Sequence, residues 1–240
     1  MRVYLKPDGR CGNAIFRFFK FLEICEYVAP RRPTLLYEPP SHPYVLIHEF
    51  MNGLNVLDGY DGDVVLDGFY QYDYKDPGTM LKGWIEEELC EPTKRIPIRE
   101  LWQEPPFEAD IVVHVRLTDF YDSGDLVNPQ FQVNAVLAAK EEYPNMKVYW
   151  VSDSTNDPTL KWMTKEVGGT IVSASWQHHF ALLRTAKVLV LCNSTFGWAA
   201  ACLNEQLIKC WIPDRDLRLR PLQSFTGKFL RGERVLYPCA

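Results

Sequence analysis

Arginine 116 and the polar side chains around it form the first candidate site. The apolar run at residues 110–115 leads into the segment HVRLTD, residues 114–119. Alternation in an extended segment places His114 and Arg116 on the same face, and a guanidinium at the end of a strand can bind phosphate through two hydrogen bonds. Asp119 is near enough to orient the arginine or to contact a sugar hydroxyl. The alternative, a structural Arg–Asp pair beside a core histidine, stays open.

A second polar cluster follows the apolar run at residues 187–191. It consists of Asn193, Ser194, Thr195 and Phe196, and it opens a helix-like window. Asn, Ser and Thr are favoured at helix starts because their side chains accept hydrogen bonds from free backbone N–H groups. A helix start of this kind can also hold an anion. The segment therefore predicts either ordinary capping or a second anion-binding edge that faces the first.

The segment GRCGN, residues 9–13, lies between the first predicted strand and the first predicted helix. Its glycines, among them Gly12, permit a tight turn, and free N–H groups at a helix start attract an anion. Asn13 either caps the helix or contacts a ligand. An ordinary strand-to-helix turn is the alternative.

Two further segments are compatible with a ligand. Asp153 ends an apolar run, where its carboxylate can accept hydrogen bonds from a guanine edge or a ribose, or can cap the following turn. The segment LDGFYQ, residues 66–71, with Tyr72 and Tyr74 beyond it, supplies aromatic rings that stack on sugars or line a core.

These segments lie in a regular alternation of short apolar runs and helix-like windows. Fully apolar strands alternating with helices indicate an α/β protein whose parallel sheets are covered on both faces. In such sheets ligands bind at the carboxyl ends of the strands. Residues 30–62, rich in Pro and Gly, receive no assignment, and residues 99–108 are a predicted linker between two halves. The predicted strands are 2–5, 63–66, 110–115, 147–151, 170–172, 187–191 and 206–211, and the predicted helices are 13–27, 80–89, 133–142, 157–167, 176–185 and 195–203.

Composition narrows the class of protein. The 240 residues are 47% hydrophobic, which suffices for one large or two small domains without disulfides. A net charge of −5 argues against a nucleic acid as the main partner. The seven cysteines, an odd number without a CxxC pair, are typical of reduced thiols. No apolar run approaches the roughly 20 residues of a membrane span, and no signal peptide is recognised. We expect a soluble, cytoplasmic protein and leave peripheral membrane association open.

Five segments together resemble the motifs of the α-1,2-fucosyltransferase family (glycosyltransferase family 11), within the wider group of α-1,2-, α-1,6- and protein O-fucosyltransferases. GRCGNAIFRFF resembles the opening GxxGNQxFQ of that family, LDGFYQYDY its GFYQS-type segment, and HVRLTDF its HxRRxD motif. VSDS is similar to its FSDD, and CNSTFGWAAA to its NSTFSWWAA. The matches extend from residue 9 to residue 203.

This resemblance implies the GT-B arrangement, in which two Rossmann-like halves face each other. Residues 1–104 would form the acceptor half and residues 105–240 the nucleotide-sugar donor half. The implied activity is inverting transfer of fucose from GDP-fucose to a hydroxyl of a glycan acceptor, without a bound metal and without a permanently bound cofactor.

The same resemblance assigns roles to single residues. Arg116 would bind the diphosphate, His114 and Asp153 would face the guanine, and Asn13 would approach the diphosphate or the sugar. Ser194 and Thr195 would hydrogen-bond phosphate. The implied catalytic residues are Arg116, Asn13 and Asp119, and the implied donor-binding residues are Gly12, Asn13, His114, Arg116, Asp153, Asn193, Ser194, Thr195 and Phe196.

The sequence also departs from the motifs. Leu117 replaces the second arginine, Thr118 a glycine, Ala14 a glutamine and Ala199 one tryptophan. The donor can therefore also be UDP- or GDP-rhamnose, another 6-deoxy-L-sugar, and a non-catalytic nucleotide-sugar or glycan-binding relative is a further alternative. A hydrolase or dehydrogenase of unrelated α/β type is disfavoured because GxSxG and GxGxxG are missing.

No general base stands out. Asp119, Asp67 and Asp8 are the candidates, and Asp119 fits a structural role better.

Overall fold

The computed structural model of the protein describes residues 1–5, 11–29, 33–36, 45–47, 57–66, 103–124, 126–213 and 233–237. The chain divides into two compact units. The described residues up to Leu66 belong to the first unit, and those from Gln103 onward belong to the second. Residues 103–110, within the predicted linker and just after it, contain no helix or strand. The division into an acceptor half and a donor half stays a prediction.

The first unit contains a parallel sheet and one long described helix. Its strand order is β2-β1-β4-β3, and every described pairing is parallel. The elements are β1 (Arg2–Leu5), α1 (Cys11–Tyr27), β2 (Thr34–Leu36), β3 (Val45–Ile47) and β4 (Asp63–Leu66).

An ion pair fits the register of β1 and β4. Arg2 lies opposite Asp63 in the ladder. Its Nε and Nη2 donate to the two carboxylate oxygens of Asp63, both at 2.8 Å. The fork of the guanidinium matches a carboxylate only in this planar pairing, so a shift by one residue would break it.

Helix α1 packs its apolar residues against the sheet. Ile15, Phe16, Phe18, Phe21 and Leu22 are each at most 2% exposed, at the spacings of three and four that give a helix one apolar face. The helix begins at Cys11, two residues before the predicted start.

The second unit contains a six-stranded parallel sheet with the order β10-β9-β8-β5-β6-β7. Its strands are β5 (Ile111–Val115), β6 (Val148–Ser152), β7 (Thr170–Ile171), β8 (Val188–Val190), β9 (Lys209–Pro213) and β10 (Glu233–Tyr237). Its helices are α2 (Thr118–Ser123), α3 (Pro129–Glu142), α4 (Pro158–Val167), α5 (Trp176–Thr185) and α6 (Thr195–Cys202).

Helices cover both faces of this sheet. On one face, Ile111, Val113 and Val115 of β5 join a core cluster with residues of α3 and α4. On the other face, His114 of β5 meets Phe196 of α6, which packs in turn on Phe180 of α5. The predicted α/β class, with two Rossmann-like parallel-sheet halves, is confirmed.

Some predicted boundaries were wrong, and some elements were missed. The strand predicted at residues 206–211 is displaced to Lys209–Pro213, because the buried side chain of Asn204 accepts a hydrogen bond from the backbone N–H of Gln206 and holds a turn there. Helix α2 and the strands β2, β3 and β10 were not predicted. The helix predicted at residues 80–89 lies outside the described residues.

Candidate functional site

The strand order of the second unit locates its ligand-binding edge. From β5 the chain moves outward through β6 to β7, then crosses back to β8 on the opposite side of β5 and continues through β9 to β10. This is the 3-2-1-4-5-6 order of a dinucleotide-binding sheet, and ligands bind such sheets in the crevice at the carboxyl ends of the strands where the order reverses. Here that crevice lies between β5 and β8. The segment after β5 carries Arg116, and the segment after β8 carries Cys192 to Thr195.

Arg116 is anchored through one nitrogen only. Its Nε donates to Oδ1 of Asp119 at 2.8 Å and lies 3.3 Å from Oδ2 of Asp153. The guanidinium carbon is 5.9 Å from the ring centre of Phe120, and the side chain is 19% exposed. No described residue hydrogen-bonds Nη1 or Nη2. The arginine is therefore fixed through Nε, while its two terminal nitrogens can form a fork that binds an oxyanion.

Asp119 forms an ion pair with Arg116, as the structural alternative for this pair predicts. Its Oδ1 accepts from Arg116, and its side chain is 39% exposed. This contact orients the guanidinium. A role for Asp119 in catalysis stays a prediction.

Asp153 holds the segment that follows β5. Its Oδ1 accepts from the backbone N–H of Leu117 at 2.9 Å, and its Oδ2 accepts from the backbone N–H of Thr118 at 3.2 Å and from the Thr118 hydroxyl. The hydroxyl of Ser152 lies 3.3 Å from Oδ1. Both oxygens of this carboxylate are thus engaged by the protein's own donors, and a contact with guanine would have to share them.

His114 is a buried, neutral imidazole. It is 5% exposed, and burial lowers its pKa to about 4, although the nearby Asp153 charge acts in the opposite direction. Its Nδ1 lies 3.6 Å from Sγ of Cys192, and its ring centre lies 5.5 Å from that of Phe196. At neutral pH this ring can exchange hydrogen bonds with a ligand but cannot contribute a positive charge.

Cys192 faces His114 as a thiol and not as a thiolate. Burial, with the charge of Asp153 adding to it, raises the pKa of Cys192 well above its usual range. Because only the thiolate is strongly nucleophilic, the pair is unsuited to covalent catalysis. Four of the described cysteines, namely Cys25, Cys192, Cys202 and Cys210, are free thiols.

The start of α6 shows ordinary capping. Ser194 is the N-cap residue, is 8% exposed, and accepts from the backbone N–H of Phe196 at 3.4 Å. The backbone N–H of Ser194 donates to the carbonyl of Cys192 at 2.8 Å. Asn193 and Thr195 are partly buried on either side of it. The predicted cap is confirmed, whereas anion binding at this helix start stays a prediction.

The predicted site residues of the first unit lie at the first turn of α1. Gly12 is buried and Asn13 is partly buried. Their proposed contact with a diphosphate or sugar stays a prediction. The other predicted features of this half lie outside the described residues: Asp8, Gly9, Arg10, Asp67 and the aromatic segment that follows Asp67.

Three residues of the site were not predicted as site residues from the sequence. Cys192 touches His114, the Thr118 hydroxyl reaches Asp153, and Gly197 packs against the imidazole. Their positions in the chain could have identified Cys192 and Gly197, because Cys192 is the second residue after β8 and Gly197 lies in the first turn of α6. Leu117, which replaces the second arginine of the motif, is fully buried in the core cluster. Among the described residues, no group of three or more His, Cys, Asp or Glu side chains could hold a metal ion.

Comparisons with known proteins give distant similarities. No protein-family profile matches the chain, and no curated protein sequence matches it. Among solved structures, it resembles POFUT1 in complex with GDP, at 12% identity over 83% of this chain and 93% of that chain, with a TM-score of 0.43. It resembles the E. coli heptosyltransferase WaaC with ADP at 10% identity, over 99% and 93% of the two chains, with a TM-score of 0.46. For E. coli ADP-heptose lps heptosyltransferase II the identity is 10%, the coverage 95% and 89%, and the TM-score 0.45. Within the part of the chain that the structure describes, no helix is long and apolar enough to cross a membrane.

Proposed function

We propose that the protein is an inverting glycosyltransferase that takes a 6-deoxy-L-hexose, fucose, from GDP-fucose to a hydroxyl of a glycan acceptor. The observation that carries this proposal is the state of Arg116. It emerges at the crevice between β5 and β8, is fixed through Nε, and leaves two terminal nitrogens without a protein partner among the described residues. The sequence resemblance to fucosyltransferases supports the choice of donor.

The proposed reaction is a single displacement at the anomeric carbon. The acceptor oxygen forms a bond to that carbon while the bond to the diphosphate oxygen breaks, so GDP leaves with the electron pair and the acceptor loses its proton. Negative charge grows on the leaving diphosphate in the transition state. Donors already in place at that position contribute most to the rate.

Two groups of this chain are suited to meet that charge. Arg116 offers a fork of two N–H donors. The start of α6, at Ser194 and Thr195, adds the positive end of the helix dipole. In this proposal these groups do what a bound metal does in other transferases, and the donor lies in the half formed by residues 105–240 of a GT-B arrangement.

A second candidate is a relative that binds nucleotide sugars but does not transfer them. The observation that favours it is Leu117. The position of the second arginine in the family motif is a fully buried core leucine here, so the site has one guanidinium fewer.

Calorimetric titration followed by a transfer assay separates the candidates. The full chain is titrated with GDP, UDP, GDP-fucose and the GDP- and UDP-linked rhamnoses, and then incubated with GDP-fucose and a panel of glycans. We expect GDP and GDP-fucose to bind, transfer to yield the inverted anomer by NMR, and a chelator to leave the rate unchanged. Tight donor binding without transfer to any glycan favours the second candidate, and no binding of any nucleotide diphosphate overturns both.

A further inference from the structure

The side chain of Asp153 contacts three consecutive residues at a neighbouring strand end. Its oxygens accept from the backbone N–H groups of Leu117 and Thr118 and from the Thr118 hydroxyl, and Oδ2 lies 3.3 Å from Nε of Arg116. Asp153 follows β6, whereas residues 116–118 follow β5, about 36 positions earlier in the chain. These contacts join the two strand ends directly beneath the guanidinium.

The donors around Asp153 use up its capacity to accept. An ionised carboxylate offers about four lone-pair directions. Leu117, the two groups of Thr118 and the hydroxyl of Ser152 supply four donors, and the charged Nε of Arg116 lies 3.3 Å from Oδ2 as an ion-pair partner. The side chain is 15% exposed. A base edge would therefore have to displace one of the protein's own donors.

We infer that Asp153 is a positioning residue that acts through Arg116 and does not read the base. It holds the backbone of residues 117–118, and with it the arginine, so that Nη1 and Nη2 stay where a diphosphate binds. Two carboxylates then hold the same nitrogen of Arg116: Nε donates to Asp119 at 2.8 Å, and Oδ2 of Asp153 lies 3.3 Å from it. This inference rests on the proposed function.

The two roles predict different patterns of nucleotide binding. Loss of a base contact lowers the affinity for GDP and leaves that for UDP unchanged. Loss of a positioning contact lowers both affinities by the same factor, because both nucleotides carry the same diphosphate. A positioning residue also has no effect once the group that it positions has been removed.

The experiment titrates the full chain and four variants with GDP, UDP and guanosine by calorimetry. The variants are Asp153→Asn, Arg116→Ala, the double variant, and Asp110→Asn as a matched control. Asp110 also accepts from a lysine side chain and a backbone N–H, but it does so at the opposite end of β5. Asp153→Asn replaces a carboxylate oxygen with an amide NH₂ group, which faces donors and cannot accept from them.

We expect Asp153→Asn to weaken GDP and UDP binding equally, by about 10- to 100-fold, a loss typical of an outer residue that orients a binding group. The GDP/UDP affinity ratio stays at its wild-type value, and Asp153→Asn changes nothing further in the Arg116→Ala background. The control keeps wild-type affinities. Additive losses, or a GDP/UDP ratio that falls toward one while UDP affinity is kept, overturn the inference.

A milder variant covers the case in which Asp153→Asn fails to fold. Thr118→Val removes one donor to Asp153 on an exposed residue and preserves the shape of the side chain. It is expected to lower both affinities by the same small factor, and a loss confined to GDP overturns the inference. Failure of the wild-type chain to bind either nucleotide is a separate result, which removes the proposed function itself.

Discussion

The imidazole of His114 and the α-carbon of Gly197 lie so close that a methyl group at position 197 would reach 2.5 Å from Nδ1 of the ring. Gly197 is in the first turn of α6, and the same methyl group would lie 3.1 Å from Cδ2 of Leu191. Carbon atoms do not approach other groups this closely without displacement. The ring itself has no free space, since it is buried between Cys192 and Phe196.

Gly197→Ala is therefore expected to destabilise the protein, although alanine is the better helix former. Helix propensity alone predicts a gain of about 0.5–1 kcal/mol. Overpacking of the imidazole predicts a loss of stability of about 1–3 kcal/mol, which is larger than the gain from helix propensity. Chemical denaturation measures the sign directly, and GDP affinity should fall with it.

Gly59→Ala serves as the control for this experiment. Gly59 has φ of 71° and nothing within 4 Å of an added Cβ, so its cost of about 1 kcal/mol arises from the backbone alone. This variant should retain wild-type GDP affinity. Gly197→Ala would contradict the steric account if it unfolded at higher denaturant concentration than the wild type.

The buried His114 should make stability depend on pH below neutrality. Its folded pKa is about 4, and its unfolded pKa is near 6.5. Because the folded pKa is lowered, the contribution of neutral His114 to the free energy of unfolding is fully present above about pH 6.5. As the pH falls toward 4, up to about 3 kcal/mol of this stability is lost. Unfolding free energies of the wild type and of His114→Gln, measured from pH 7.5 to 4.5, should converge by this amount.

His178→Gln is the matched control, because His178 is a partly buried histidine on the exposed start of α5. Its curve should run parallel to that of the wild type. Parallel curves for His114→Gln as well would show that His114 is not the group responsible.

A positive charge at position 116 without the planar guanidinium fork should not support transfer activity. Arg116→Ala should lower transfer by about 10²–10³, the effect of losing one preorganised donor to developing charge. Arg116→Lys keeps the charge but loses both the planar fork and the Nε contact with Asp119, so it should not restore activity. Initial rates at saturating donor measure this, with Lys187→Ala, an exposed cation paired with Asp110, as the control. Near-normal turnover by Arg116→Ala would remove Arg116 from the site.

Asn204 should be one of the most sensitive structural positions of the second unit. It is fully buried, donates to the carbonyls of Leu183 and Ala186, and accepts from the backbone N–H of Gln206. Asn204→Ala leaves three backbone groups without this partner, at a cost of about 3 kcal/mol. Asn134→Ala, which loses one exposed side-chain hydrogen bond to Gln130, should cost under about 0.5 kcal/mol. Thermal unfolding compares the two, and equal costs would contradict this account.

Local sequence was sufficient to predict an element where its burial pattern and its intrinsic propensity agree. The strand at residues 111–115 is buried on both faces, and α5 starts after a capping serine, Ser175, so both were predicted closely. Helix α2 was missed because its six residues, TDFYDS, contain no buried side chain and little helical propensity. Its start is supported by Asp153, a residue distant in sequence.

In the candidate site, too, some residues could be predicted from the sequence, whereas their contacts could not. The polar types at strand ends, such as Arg116 and Ser194, could be recognised because parallel strands bring their carboxyl ends together. The partners could not, since the contact of Cys192 with His114 spans 78 positions and that of Asp153 with Leu117 spans 36. Such contacts depend on which strands are neighbours, and a single sequence does not state this.

The two carboxylates beside Arg116 have a consequence for how affinity responds to ionic strength. Arg116 contributes one positive charge, while Asp119 and Asp153 contribute two negative charges within 3.3 Å of it. Dissolved ions screen attraction between net charges but weaken short, directed hydrogen bonds far less. A diphosphate recognised here would thus remain bound as salt is added, in contrast to one captured by a cluster of exposed lysines.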